Sequence, residues 1–226
     1  MRKVVVYGGT RNLYKNMVTA AKSLLSHTHI DRVWFLIEDE VFPEPLPSVI
    51  KTLDMRDQEW FVKDGPNFHC HWTYMSLIRL ALPFILPNEH RALWLDVDTI
   101  VNDDISELFD TDLDGCYLGA VKEPLRSKYP LMYCNAGVLL MDLDKLSDGM
   151  ARELIRMVNT RKLDFPDQDS INIRCQGQIH LLDPTWNSGD WTENMDNPKI
   201  THYMADREYW RREGFAKYEN KEWEVI

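Results

Sequence analysis

From Ala92 to Val101 the chain reads Ala-Leu-Trp-Leu-Asp-Val-Asp-Thr-Ile-Val, so Asp96 and Asp98 stand two residues apart where an apolar run ends. Carboxylate oxygens are hard ligands, suited to cations such as Mg2+, Mn2+ or Ca2+. A cation at such a rim neutralises a diphosphate and stabilises the charge left on a departing phosphate. Both acids can bind the metal, or one can bind it while the other takes ribose or sugar hydroxyls. The same two residues can also do no more than cap the next turn, and the pair alone does not choose between these uses.

A rigid strand has to hold the pair, and residues 92–95 read as the fourth strand of a series. Residues 3–7 are short, β-branched and aromatic, as a buried first strand should be. After Gly8-Gly9, Leu13, Met17, Ala20, Ala21, Leu24 and Leu25 recur at helical spacing. A second strand follows at 33–37, a proline-rich loop at 42–47 and a short third strand at 60–62. Tyr74, Leu77, Ile78 and Ala81 mark a helix expected to stop near Pro83. This alternation predicts an α/β fold, a mainly parallel sheet flanked by helices, with ligands gathering beyond the carboxyl ends of its strands.

The second half is less regular: strands at 116–121, 138–141 and 178–182, and a helix over 145–158. A C-terminal segment from about 204 to 226 is expected to fold back as an amphipathic helix. No linker interrupts the chain, so residues 1–226 are expected to form a single domain.

Composition narrows the class. A chain of 226 residues with 44% hydrophobic content can bury one sizeable core. A formal net charge of -10 argues against a nucleic-acid partner or a polybasic membrane anchor. The apolar run at residues 4–7 ends at Gly8-Gly9, too short for a signal peptide, and no stretch is long enough to span a bilayer. Cys70, Cys116, Cys134 and Cys175 form no CxxC pair and no glycosylation sequon occurs, so a reduced, cytoplasmic chain is expected. His69-Cys70-His71 invites zinc, but no second ligand pair stands at a recognised spacing.

Several further motifs follow in order. Val6-Tyr7-Gly8-Gly9-Thr10-Arg11-Asn12-Leu13-Tyr14 opens the chain, Arg79 lies on an apolar helix face, and Leu95 to Thr99 carries the acids. Cys134-Asn135-Ala136-Gly137-Val138, Pro166-Asp167-Gln168-Asp169-Ser170-Ile171-Asn172, Trp186-Asn187 and Ile200-Thr201-His202-Tyr203 complete the series. Each motif alone is weak. Their order and spacing together resemble glycosyltransferase family 8, which contains glycogenin and bacterial sugar transferases of lipooligosaccharide.

The resemblance implies a GT-A fold, a UDP-sugar donor, a manganese-type ion (Mn2+ or Mg2+) and retention of anomeric configuration. It makes the chain a hexosyltransferase moving glucose or galactose to a glycan, lipid-linked sugar, protein or small molecule. By matching positions, Asp96, Asp98 and His202 would ligate the metal; a nitrogen beside two carboxylates suits manganese. Gly8, Thr10 and Tyr14 would border uracil and ribose, with Val97 beside the acids. The resemblance puts Asn135, Ala136 and Gly137 along the donor sugar, and Asp167 and Gln168 beneath its anomeric carbon as the catalytic pair. Trp186 and Asn187 would meet sugar or acceptor. Arg79 would grip the diphosphate or a donor-site carboxylate, or serve only as a structural ion pair. Asp167 has a competing use as a helix cap.

The chain departs from the family at its closing motif, usually H-Y-x-G-x-x-K-P-W. Here Ala205, Glu208 and Tyr209 replace glycine, lysine and proline. Glu208 is therefore expected to turn away from the ligand, with Arg207 or Arg211 supplying the positive charge. Two other classes compete. One is a noncatalytic sugar-nucleotide or carbohydrate-binding module. The other is a phosphatase of the haloacid dehalogenase type, whose D-x-D-x-T/V pattern is broken here by Ile100.

Overall fold

The computed structural model describes residues 2–70, 72–123, 132–189, 196–204 and 206–225. His71 of the candidate zinc run and Ala205 of the closing motif lie outside the described residues.

The first half alternates as its sequence pattern implies: β1 (Val4–Gly8), α1 (Tyr14–Leu25), β2 (Arg32–Ile37) and β3 (Ile50–Asp54). After a long loop come α2 (Thr73–Leu77), α3 (Leu82–Ile85), β4 (Arg91–Leu95) and β5 (Thr99–Val101). Then follow α4 (Ser106–Phe109), β6 (Leu118–Lys122), β7 (Cys134–Asp142), α5 (Leu143–Lys145) and α6 (Ala151–Thr160). The last elements are α7 (Pro166–Arg174), β8 (Ile179–Leu181), β9 (Ile200–His202) and α8 (Glu213–Glu219).

Seven strands form one sheet in the order β3-β2-β1-β4-β7-β6-β8, and β5 pairs with β9 in a separate ribbon. Pairing is parallel from β3 to β4 and between β6 and β8, while β7 runs antiparallel to both β4 and β6. The sheet is thus mainly parallel, as expected. Strand alternation sends Val5 and Tyr7 into the core under α1, and Val4 and Val6 into a second core under the opposite helices. Burial on both faces is why these strands read as continuous apolar runs.

Three local expectations are corrected. The third strand is Ile50–Asp54, not 60–62. It is the sheet's edge, so Lys51 and Thr52 stay partly solvated and hide the apolar signal. The 60–62 stretch is instead held by the Gln58 side chain, which accepts from Phe61 N at 2.8 Å and donates to Phe61 O at 3.0 Å. Pro83 does not stop its helical run, because it falls in the first turn of α3, where its missing N–H costs nothing. The helix predicted over 145–158 is broken by a kink at Asp148 and Gly149, the latter at φ 102°.

In the C-terminal segment the only α-helix among the described residues is α8. Tyr209, Phe215 and Tyr218 cluster on Ile100 of β5. The Tyr218 hydroxyl meets His27 Nε2 at 2.7 Å, and Tyr209 hydrogen-bonds Asn16 of α1.

Candidate active site

Asp96 begins the turn that leaves β4. Its backbone N–H donates to Gly137 O at 2.8 Å, and its carbonyl accepts from the Thr99 hydroxyl at 2.7 Å. That turn feeds β5, whose register with β9 sets Thr99 opposite His202. A local ribbon therefore brings together residues about a hundred positions apart. His202 Nε2 lies 3.3 Å from Asp98 Oδ1 and 4.0 Å from Asp96 Oδ2. One ligand atom from each of Asp96, Asp98 and His202 falls within 4.8 Å of the others, a spacing that one ion can bridge. The two carboxylates are about a quarter exposed, whereas the His202 side chain is 4% exposed. The acids are thus reachable from solvent and the imidazole is buried behind them. His69 and Cys70 belong to no such group among the described residues.

Arg79 solves the cost of a buried guanidinium by using its whole fork. Nη2 meets Asp96 Oδ1 at 2.8 Å, Nε meets Asp167 Oδ2 at 3.2 Å and also donates to Ser76 O at 2.9 Å, and Nη1 donates to Ala136 O. Its plane stacks on Trp94 at 4.7 Å. Trp94 Nε1 adds a second donor to Asp96 Oδ1, at 2.8 Å. Asp96 thus spends one oxygen on Arg79 and Trp94 and turns the other toward Asp98 and His202.

The opposite wall is α7. Asp169 reaches back to the start of the helix, accepting from Asp164 N at 3.1 Å and Phe165 N at 2.9 Å. Asp167 pairs with Arg79 while its carboxyl also meets its own and Gln168's backbone N–H groups. Gln168 and Asn172, one helical turn apart, both dock on β7. Asn172 pairs with both backbone groups of Cys134, at 2.7 Å and 2.8 Å. Gln168 Oε1 accepts from Ala136 N at 2.8 Å, and its Nε2 donates to Glu123 Oε2 at 2.6 Å. Glu123, Trp94 and the Asn187 contacts below were not singled out by sequence. Glu123 directly follows the end of β6, the same strand-then-acid signal that marks Asp96.

Electrostatics follows from this crowding. For Asp98, burial pushes the carboxyl up, but His202 and Arg79 outweigh it and hold it below the ordinary range. For His202, burial pushes the imidazole down, but Asp98 and Asp96 outweigh it and raise it. Burial raises Asp167 despite Arg79, and Asp96 adds to the rise. Asp96 and Asp98 are thus two carboxylates held beside one buried imidazole, a donor set that suits a cation.

The remaining expected residues are placed as follows. Gly8 ends β1 against Trp94, where an added Cβ would come within 2.7 Å of the indole. Thr10 bonds Asn12 Oδ1 at 2.6 Å in the following loop. Tyr14 is buried, accepting from Glu38 N at 2.7 Å and meeting Asp39 Oδ2 at 3.0 Å; burial first pushes its hydroxyl up to about 12. Val97 is packed in the core, leaving its backbone beside the acids. Gly137 is small because the His202 ring fills the space a side chain would need. Trp186 is buried, with Lys199 Nζ 4.5 Å over its ring. Asn187 is fully buried between Asn135 and His202. Glu208 is exposed and pairs with Arg211 at 3.0 Å, and Arg207 is exposed beside it.

Known proteins resemble this chain in sequence and in fold. GlyF of Streptococcus pneumoniae serotype 4, described as a glycosyltransferase, is 26% identical over 259 aligned residues, covering 100% of this chain and 63% of its own length. A lipopolysaccharide 1,2-glucosyltransferase of Escherichia coli K12 is 31% identical, covering 81% of this chain and 61% of its own. The chain therefore spans less than two thirds of either relative. Among solved structures, the galactosyltransferase LgtC with donor and acceptor sugar analogs superposes with a TM-score of 0.73 at 21% identity, covering 96% of this chain and 95% of that one. GlyE of S. pneumoniae TIGR4 gives 0.77 at 20% identity, covering 99% and 61%. These likenesses identify the fold as GT-A. The pattern described as glycosyl transferase family 8 matches residues 4–214. That span runs from β1 to α8 and takes in every residue of the site, so the phosphatase reading is set aside and the chain belongs to glycosyl transferase family 8.

Proposed function

We propose that this chain is a retaining glycosyltransferase that moves a hexose, glucose or galactose, from a UDP-sugar to a glycan, lipid-linked sugar, protein or small molecule. The observation that carries the reading is the convergence of Asp96, Asp98 and His202 within 4.8 Å at the end of β4. Two oxygens and one nitrogen fit Mn2+, with Mg2+ as the alternative. A bound ion would neutralise the diphosphate and act as a Lewis acid toward the UDP leaving group. Gly8, Thr10 and Tyr14 would border the nucleoside, and Asn135, Ala136 and Gly137 the sugar, with Trp186 and Asn187 behind them.

In this reading Gln168 faces the anomeric carbon. Its carboxamide is fastened at both ends, by Ala136 N–H and by Glu123, so it cannot turn away. Donating to a carboxylate pushes electron density toward Oε1, whose second lone pair then stabilises an oxocarbenium-like transition state. Asp167, held by Arg79, would take sugar hydroxyls. The leaving group would need no separate general acid, because it would depart as a stabilised diphosphate whose phosphate oxygen could take the proton that the acceptor hydroxyl loses.

The test is UDP release from UDP-glucose and UDP-galactose with Mn2+, with Mg2+ and with chelator, across an acceptor panel. Metal-dependent release from one donor is expected. Gln168→Ala should slow turnover on the order of 100-fold while leaving UDP affinity nearly intact. Tight UDP binding with no turnover for any donor would make the chain a sugar-nucleotide-binding module instead.

A further inference from the structure

We infer that Asn187, with Asn135 behind it, is a positioning residue that fixes the tautomer of His202 so that Nε2 presents a bare lone pair to the cation. The inference rests on the metal-site reading above and names residues that act through His202 rather than on the ligand.

The orientation of every group in this relay follows from one backbone amide. Gly137 N–H can only donate, and its partner 2.8 Å away is the Asn135 side chain, which must therefore present oxygen. The Asn135 amide nitrogen then faces Glu123 Oε2 at 3.2 Å, an acceptor, as it should. The same Asn135 oxygen lies 2.9 Å from the Asn187 side chain, so Asn187 must offer its nitrogen there. That choice leaves Asn187 oxygen on the other side, 3.0 Å from His202 Nδ1. An oxygen acceptor requires Nδ1 to carry a proton. In the neutral ring Nε2 is then unprotonated, and it faces Asp98 Oδ1 at 3.3 Å and Asp96 Oδ2 at 4.0 Å.

With the ring neutral, His202 Nε2, Asp98 Oδ1 and Asp96 Oδ2 all present lone pairs toward one another, which is an arrangement a cation resolves. The ring has little room to escape it. Asn135, Asn187 and His202 are 2%, 0% and 3% exposed, so water does not substitute for a lost partner. The imidazole also packs against Gly137 where a Cβ would overlap it. Second partners of this kind commonly set which nitrogen of a histidine binds metal.

The test reads the tautomer directly. Long-range 1H–15N spectra of the intact, metal-free chain, recorded on the deprotonated arm of a pH titration, distinguish the two ring nitrogens. His202 is assigned by its loss in His202→Ala. The wild-type chain should show a protonated Nδ1 and a bare Nε2. Asn187→Ala should release the proton to Nε2 and weaken Mn2+ binding, counted by the electron paramagnetic resonance of free Mn2+, roughly 10- to 100-fold. Asn187→Asp, which keeps an acceptor toward Nδ1 but loses the N–H donated to Asn135, should hold the tautomer and bind Mn2+ better than Asn187→Ala. A wild-type ring protonated on Nε2 overturns the inference whatever the variants do, including any that fail to fold. So does an Asn187→Ala variant with tautomer and affinity unchanged. A wild-type chain with the Nδ1–H tautomer but no Mn2+ binding overturns instead the metal-site reading, and with it the purpose given to the relay.

Discussion

The two sides of the candidate site are built by different physics. On the side of β4, β7 and α7, polar groups are buried and answered by fixed partners: Ala136 N–H holds Gln168, Gly137 N–H holds Asn135, and Arg79 joins Asp96 to Asp167. On the side of the closing segment, charges pair with one another at the surface, Glu208 with Arg211 at 3.0 Å and Asp206 with Arg212 at 2.6 Å. That segment is anchored by aromatic packing of Tyr209 and Phe215 rather than by its charges. Buried networks are costly to break, whereas exposed pairs contribute little.

The largest effect should come from Arg79. Arg79→Met leaves Asp96 and Asp167 facing each other without a cation, and loss of one member of a buried ionic network costs about 3–5 kcal/mol. Urea denaturation should show that loss, and Arg79→Lys should recover only part of it, because an ammonium cannot serve all four acceptors. A loss under about 1 kcal/mol would mean that the two walls do not differ as argued. Next in size is the metal group. Asp98→Asn and His202→Ala should each weaken UDP binding on the order of 100-fold at fixed Mn2+, as should chelation of the wild-type chain. Since Asp98 and Asp96 raise His202, its proton competes with the ion; the ion must displace it, so affinity rises with pH through the His202 value. Calorimetry in buffers of different ionisation enthalpy would read the proton released.

What could be read from sequence divides along the same line. Asp96 and Asp98 were legible because acids after an apolar strand break a pattern, and Arg79 because an arginine on an apolar helix face must find a partner. The α/β alternation was legible from the short apolar runs of β1 and β4 and from the helical period of α1. The edge strand β3 was not, since one open side removes the apolar signal, and the aromatic 60–62 stretch imitated a strand through composition. Nor was the division of labour within Asp167-Gln168-Asp169. Which acid reaches back to the start of the helix and which meets Arg79 depends on the docking angle of α7, which local sequence does not encode. The contacts of Asn187 with Asn135 and His202 link positions 52 and 15 residues away, across elements whose pairing only the fold supplies.

A smaller effect is expected at Glu208. Its carboxylate is already turned to solvent and matched by Arg211, so Glu208→Lys removes one negative charge, adds one positive charge and frees Arg211. Such exposed charges act through a screened field. UDP affinity should tighten by about two- to fivefold at low salt, with the gain fading above about 0.3 M salt. A gain of a hundredfold, insensitive to salt, would instead place position 208 in direct contact with the diphosphate.

The smallest effect tests the anchor itself. His27 Nε2 meets the Tyr218 hydroxyl at 2.7 Å, tying α8 to the end of α1. Partial burial, then the charges of Lys217 and Lys221, push His27 below the ordinary histidine value, against weaker pulls from Asp103 and Glu224. The folded chain therefore prefers the neutral ring. A depressed histidine contributes stability above the unfolded value of about 6.5, and that contribution is lost as pH falls through the lower folded value. Lowering the pH from about 7.5 to about 5 should thus cost the wild-type chain more thermal stability than His27→Gln, which has no charge to gain. Because the ring is partly solvated, the difference in Tm should be at most about 2 °C. Hydrogen exchange should locate the loosening in α8, with β7 and α7 unchanged. Equal loosening of β7 at acid pH would show that the closing segment and the buried wall unfold as one unit.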